Sequence, residues 1–122
     1  MLSEQGARAA RSVIDTGLHT RGWSRQQAVD YMLANTAWPA NEVQSGINRY
    51  IAWPRQANAY MLGMLEIMKL RRLAEQAFGD NFDVREFHAR VLENGNITLP
   101  MLEEIILAWI QQHLDKEATD AE

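Results

Sequence analysis

The stretch PRQANAYMLGMLEIMKLRRLAEQAF, residues 54–78, predicts one long helix and decides the fold class. Its first half, residues 57–65, is apolar almost all round, which is typical of a helix that is buried on most sides. Its second half is amphipathic, and we expect its charged residues to face water: Lys69, Arg71, Arg72 and Glu75. Pro54 suits the first helical position, and Gly79 suits the end. We therefore expect a long, largely buried central helix.

Shorter helical patterns flank this stretch on both sides. Ser24 and Gln27 have the spacing of a capping box, which predicts a helix start at Ser24. The first helix is predicted over residues 3–17, ending at Gly17, and Asp83 and Thr98 are suitable caps for two later helices. No alternating pattern long enough for a strand occurs. The sequence predicts an all-α protein, an irregular bundle of about six helices that forms a single domain over residues 1–122, with a frayed tail at residues 116–122.

Composition excludes several classes of function. The 122 residues carry 12 basic and 16 acidic side chains, a net charge of −4, so we expect no nucleic-acid partner. The densest apolar run, residues 59–65, is far shorter than the roughly 20 residues of a membrane span, and the start has no signal-peptide pattern. We therefore expect no membrane partner. The absence of cysteine excludes thiolate chemistry and leaves the compartment open.

Metal binding is not expected from this chain. Its three histidines, His19, His88 and His113, have no second ligand at a recognised spacing, and no H-E-x-x-H motif occurs. His88 and His113 are interpreted as ordinary helix-face residues. His19 follows Asp15 near a helix end beside a tight turn, a position that favours function. We predict no catalytic residue, no metal ligand and no cofactor in the chain, and no reaction by the chain alone.

The segment RYIAWPRQANAY, residues 49–60, is the strongest candidate for a binding site. A guanidinium such as that of Arg49 suits a carboxylate, and a phenol such as that of Tyr60 donates to an oxyanion. Gln56 can bind a peptide backbone. The structural alternative is that Tyr50 and Tyr60 are core residues and Arg49 is a surface residue in a salt bridge. Residue types alone leave both interpretations open, since Tyr and Arg are common in both settings.

Longer motifs match a known family over nearly the whole chain. These are RAARSVIDTGLH at residues 8–19, GWSRQQA at 22–28, RYI at 49–51 and FDVREFH at 82–88, with Pro54, Gln56, Tyr60 and Gly63 between them. They resemble the C-terminal region of the bacterial "domain of unknown function 885" family. The resemblance implies a longer, mostly helical parent protein similar to zinc-dependent peptidases, with its H-E-x-x-H metal motif upstream of this region.

The resemblance also implies a function and a set of site residues. The chain would be the C-terminal portion of the parent, shaping a peptide-binding cleft, with zinc held upstream. The residues implied to face the cleft are Arg49, Tyr50, Gln56 and Tyr60, with His19 and Asp15 close by. Arg55 stands where the family usually has Gly, and Met61 where it usually has Lys.

Several expectations follow for partners and location. The partner would be the upstream metal-binding portion or a second copy of the chain, and a peptide would be the ligand. The resemblance points to a bacterial protein, cytoplasmic or periplasmic. The alternative function is a stand-alone helical interaction or dimerisation module.

Overall fold

The computed structural model describes the backbone of residues 2–120 and the side chains of residues 4–116, 118 and 119. It contains six α-helices: α1 Leu2–Thr20, α2 Arg25–Asn35, α3 Ala40–Ala52, α4 Ala59–Phe78, α5 Val84–Leu92 and α6 Leu99–Asp120. Single 3₁₀ turns at Gln56–Asn58 and Gly79–Asn81 precede and follow α4. The protein is 83% helical, with no strand in the described residues. The predicted all-α class and irregular six-helix bundle are confirmed.

The chain divides into two compact units, each with its own core. Unit 1 comprises Met1–Gly63 and unit 2 comprises Met64–Glu122, so the boundary lies inside α4. The sequence alone indicated one helical domain. None of the helices in residues 2–120 combines the length and apolar character that a membrane span requires.

In unit 1, α1 packs against α2, α3 and the 3₁₀ turn. The buried side chains at the centre of this core include Ile14, Met32 and Ile47. The predicted capping box is present at the start of α2, where Ser24 Oγ accepts from Gln27 N (3.2 Å) and Ser24 N donates to Gln27 Oε1 (2.8 Å). These two bonds satisfy backbone donors that the first helical turn leaves open.

The first helix is longer than the sequence indicates. α1 continues past Gly17 to Thr20, and the chain then turns at Gly22, whose φ of +67° is left-handed. Gly17 is buried against the indole ring of Trp23, which occupies the space that a Cβ would need. The prediction that Gly17 ends the helix is therefore wrong. The glycine is present because an aromatic ring lies against the helix.

The turn between α3 and α4 also differs from the prediction. Pro54 does not begin a helix: residues 53–55 form a turn, and α4 begins at Ala59. Arg55 has a φ of +70°, in the left-handed region that most side chains avoid. Trp53 N still donates to Arg49 O (3.0 Å), which ends α3. The two helices are thus separated by a tight turn that ends in a 3₁₀ turn.

Unit 2 has a second apolar core, formed by the later part of α4 with α5 and α6. Phe78 and Trp109 meet edge to face, with ring centroids 4.5 Å apart. Trp109 Nε1 donates to Glu86 Oε1 (3.2 Å), which satisfies the indole donor. Asp83 caps α5 by accepting from Arg85 N (2.8 Å). α6 extends to Asp120, into the predicted tail; residues 121 and 122 lie outside the described residues.

The burial of α4 is the reverse of the prediction. Tyr60, Leu62 and Leu65 are each at least half exposed, although they belong to the apolar first half. The buried positions lie in the second half, where Leu70 and Phe78 enter the core of unit 2. The expectation of a largely buried central helix is therefore wrong for the described residues of α4, of which only Leu70, Ala74 and Phe78 are buried.

Candidate ligand-binding cleft

A cleft of about 510 Å³ lies within unit 1. It is built mainly on one face of α3, with contributions from α1, the 3₁₀ turn and the first residues of α4. It is lined by Arg11, Trp38, Asn41, Glu42, Ser45, Gly46, Arg49, Tyr50, Gln56 and Tyr60. Three aromatic rings and several polar groups therefore face one space, a composition typical of ligand sites.

Four of the six residues that the family resemblance implied lie at this cleft: Arg49, Tyr50, Gln56 and Tyr60. Tyr50 is buried in the core of unit 1, and its ring lies close to Gly46, which has no side chain to fill the space. Arg49 is exposed, with its guanidinium 5.1 Å from the centroid of the Trp53 ring. The binding interpretation and the structural interpretation therefore both apply to Tyr50, because it is a core residue and also part of the cleft wall.

Asp15 does not line the cleft but fixes the turn beside it. Its carboxylate is 2% exposed and accepts from Arg55 N at 3.1 and 2.9 Å. It also accepts from Asn58 Nδ2 at 3.3 Å. Hydrogen bonds to an ionised acceptor are the stronger kind, and here they hold Arg55 in its left-handed conformation. The structure gives Asp15 a supporting place behind the cleft.

His19, like Asp15, supports the cleft from behind and does not line it. Its Nε2 lies 2.9 Å from the backbone oxygen of Tyr50. A carbonyl oxygen accepts, so this bond requires the tautomer with hydrogen on Nε2. The bond ties the end of α1 to the end of α3, where Tyr50 faces the cleft. His19 therefore supports the site through the backbone of Tyr50.

The sequence interpretation missed part of the lining. Arg11 and Trp38 are the main omissions, and the Arg11 guanidinium stacks 4.7 Å from the centroid of the Trp38 ring. Asn41 and Ser45 were missed as well. Asn41, Ser45 and Arg49 follow one another at intervals of four residues, which places all three on one face of α3, and this periodic signal could have found them.

The charged groups of the cleft favour an anion. Its lining has two arginines, Arg11 and Arg49, and one acid, Glu42. None of the three forms a salt bridge with a described residue. One net positive charge therefore faces the space, beside neutral hydrogen-bonding groups such as Gln56 and Tyr60. This arrangement can bind an anionic group and orient the chain attached to it.

The described residues do not fit a zinc site. No three His, Asp or Glu side chains among them gather in a metal-holding group. His19 is engaged with the backbone oxygen of Tyr50, and His113 stacks on Phe78 with ring centroids 4.0 Å apart.

Comparison with known proteins identifies the family. The family model described as "Bacterial protein of unknown function (DUF885)" matches residues 1–106. A solved structure, described as "the putative lipoprotein from Colwellia psychrerythraea", is similar at 44% sequence identity with a TM-score of 0.85. The match covers 87% of this chain and 18% of that one, so this chain spans less than a fifth of its relative. The curated proteins gave no match. From the extent of the family match, the chain belongs to the DUF885 family.

Proposed function

We propose that this chain is the C-terminal helical region of a metallopeptidase-like protein and shapes its peptide-binding cleft without being catalytic alone. One observation carries the proposal: Arg49, Tyr50, Gln56 and Tyr60, which the family resemblance implied as substrate contacts, line one cleft. They come from three different elements, so their convergence is a property of the fold.

The lining suits an extended peptide. Gln56 offers both a donor and an acceptor to a peptide backbone, and Tyr60 offers a phenol that donates or accepts. Trp38 and Tyr60 provide apolar surface for side chains. The supporting bonds of Asp15 and His19 keep the turn and α3 in place before a ligand binds, which reduces the entropy lost on binding.

The test begins with the DNA directly upstream of the Met1 codon. The proposal expects a reading frame that continues into a helix with an H-E-x-x-H motif. In the longer protein, Gln56→Ala and Tyr60→Phe should each lower kcat/KM for peptide hydrolysis about tenfold, the effect of one lost hydrogen bond of about 1.4 kcal/mol. Arg72→Gln, an exposed change on α4 outside the cleft, is the control. A frame that starts at Met1 would refute the proposal.

A second candidate is supported by a different surface. Leu62, Leu65 and Met68 on α4 are each about half exposed. Contiguous apolar surface on a protein usually marks an interaction site. A stand-alone module that works through dimerisation or partner binding would use this face, and a frame that begins at Met1 would favour it.

A further inference from the structure

Arg11 is a cation whose buried donor lacks an acceptor. Its Nε is shielded from solvent and makes no hydrogen bond with a described residue. Its guanidinium lies 4.7 Å from the Trp38 ring centroid and 5.8 Å from that of Tyr50. Rings satisfy the face of a guanidinium and leave its in-plane N–H groups free. A buried donor without an acceptor is costly. Arg11 also lines the cleft, where a ligand can supply acceptors to the terminal N–H groups of its guanidinium.

Arg49 supplies a second cation to the same cleft. Its guanidinium lies 5.1 Å from the centroid of the Trp53 ring, and it forms no salt bridge with a described residue. It projects from α3, whereas Arg11 projects from α1, so the two reach the cleft from different helices. Both guanidiniums line this cleft and lie against aromatic rings, so each can offer its in-plane N–H groups to an anion.

The charge balance selects the kind of anion. Together with Glu42, the two arginines leave one net positive charge at the cleft, which matches a singly charged carboxylate. A phosphate group carries about −1.5 to −2 at neutral pH and would meet the Glu42 carboxylate as an uncompensated repulsion. The neutral groups of Asn41 and Gln56 can bind the last amide of a peptide, next to its carboxylate.

We propose that this cleft binds the C-terminal carboxylate of a peptide, with Arg11 and Arg49 as its cationic partners. The inference rests on the proposed peptide-binding function and names the end of the substrate that this region recognises. In a peptide-cleaving parent, such a site would position substrates by their C-terminus and favour short peptides over interior segments of a folded protein.

Calorimetric titration of the 122-residue chain tests this with four probes. These are N-acetyl-trialanine as the free acid, its C-terminal amide, acetate and inorganic phosphate. The free acid should bind at least tenfold more tightly than the amide, because loss of one charge-assisted bond is worth at least that factor. Acetate should bind more weakly than the free acid, since it lacks the peptide contacts.

Variants connect the binding preference to the two arginines. Arg11→Gln and Arg49→Gln should each reduce the preference for acid over amide at least fivefold. Arg72→Gln removes the same charge outside the cleft and should leave the preference unchanged. Circular dichroism checks that Arg11→Gln remains folded. Arg49 is exposed, so Arg49→Gln tests the proposal even where Arg11→Gln unfolds the chain.

The outcomes separate this inference from the proposed function. Equal binding of acid and amide would overturn the carboxylate site and leave a peptide cleft standing. Arginine-dependent binding of acetate as tight as that of the peptide would support the carboxylate site and refute the peptide cleft. Phosphate binding tighter than the free acid would overturn the choice of carboxylate. No binding of any probe to the 122-residue chain would overturn the carboxylate site, whereas the proposed function is tested separately by the upstream reading frame and the variants of the longer protein.

Discussion

Replacing Gly17 by alanine tests the packing of unit 1 most directly. A Cβ at this position would lie 2.4 and 2.5 Å from Cδ2 and Cε3 of Trp23, whereas carbon atoms normally approach to about 3.5 Å. The indole ring must therefore move by about 1 Å, and such overpacking costs about 1–3 kcal/mol. Alanine gains about 1 kcal/mol over glycine in a helix interior. We expect a net loss of about 0–2 kcal/mol in the free energy of unfolding.

Gly6→Ala is the matched control for this change. Gly6 lies in the same helix, and a Cβ there would meet nothing within 4 Å, so Gly6→Ala should stabilise by up to about 1 kcal/mol. Urea unfolding followed by circular dichroism gives both free energies, provided that the m-values agree. Both variants gain the same helix propensity, so the difference between their unfolding free energies, about 1–3 kcal/mol, reports the clash with the Trp23 ring. If both variants gain equal stability, Trp23 does not pack on Gly17 and the reasoning is wrong.

Three further predictions address the turn, an ion pair and the exposed face. Asp15→Asn leaves one neutral acceptor oxygen for two donors, Arg55 N and Asn58 Nδ2, and should lower the unfolding free energy by about 1–3 kcal/mol in urea titrations; unchanged stability would contradict the assigned role. Hydrogen bonds to Glu103, the larger cause, and to Glu66 raise the pKa of Lys69 above its usual value of 10.5. The contribution of Lys69 to the stability of the folded chain is therefore complete below pH 10.5 and is lost as the pH rises through the folded-state pKa. The difference in unfolding midpoint between wild type and Lys69→Gln should accordingly shrink above pH 10.5, and a constant difference would refute the link. Because apolar side chains of α4 such as Leu65 are exposed, the chain should self-associate at high micromolar concentration in sedimentation equilibrium, and Leu65→Glu should weaken the association. A strictly monomeric wild type would refute self-association through this face.

Local signals predicted the helices well wherever the interacting groups are close in sequence. The capping box of Ser24 and Gln27 and the cap at Asp83 are present as expected. Each depends on bonds between residues two or three positions apart, so the sequence contains both partners of the interaction. The all-α class followed for the same reason, since helical periodicity is a local pattern.

The candidate site could be predicted in part. The segment around Arg49 and Gln56 stood out by residue type and by resemblance to the family, and both residues line the cleft. Arg11 and Trp38 were not found, because they lie on other parts of the chain and meet the segment through packing of α1 against α3. Whether these residues bind a ligand together stays a prediction for the titrations above.

The sequence by itself determined the helical class, most of the helix starts and the family, because each depends on neighbouring residues or on motifs along the chain. Tertiary structure alone decided the end of α1, the turn at Arg55 and the exposure of the first half of α4. A ring from Trp23 lies on Gly17, and the carboxylate of Asp15 holds a backbone amide 40 residues away. Apolar composition predicts what a helix would bury, but burial also requires a surface packed against it, and Leu62 and Leu65 stay at least half exposed.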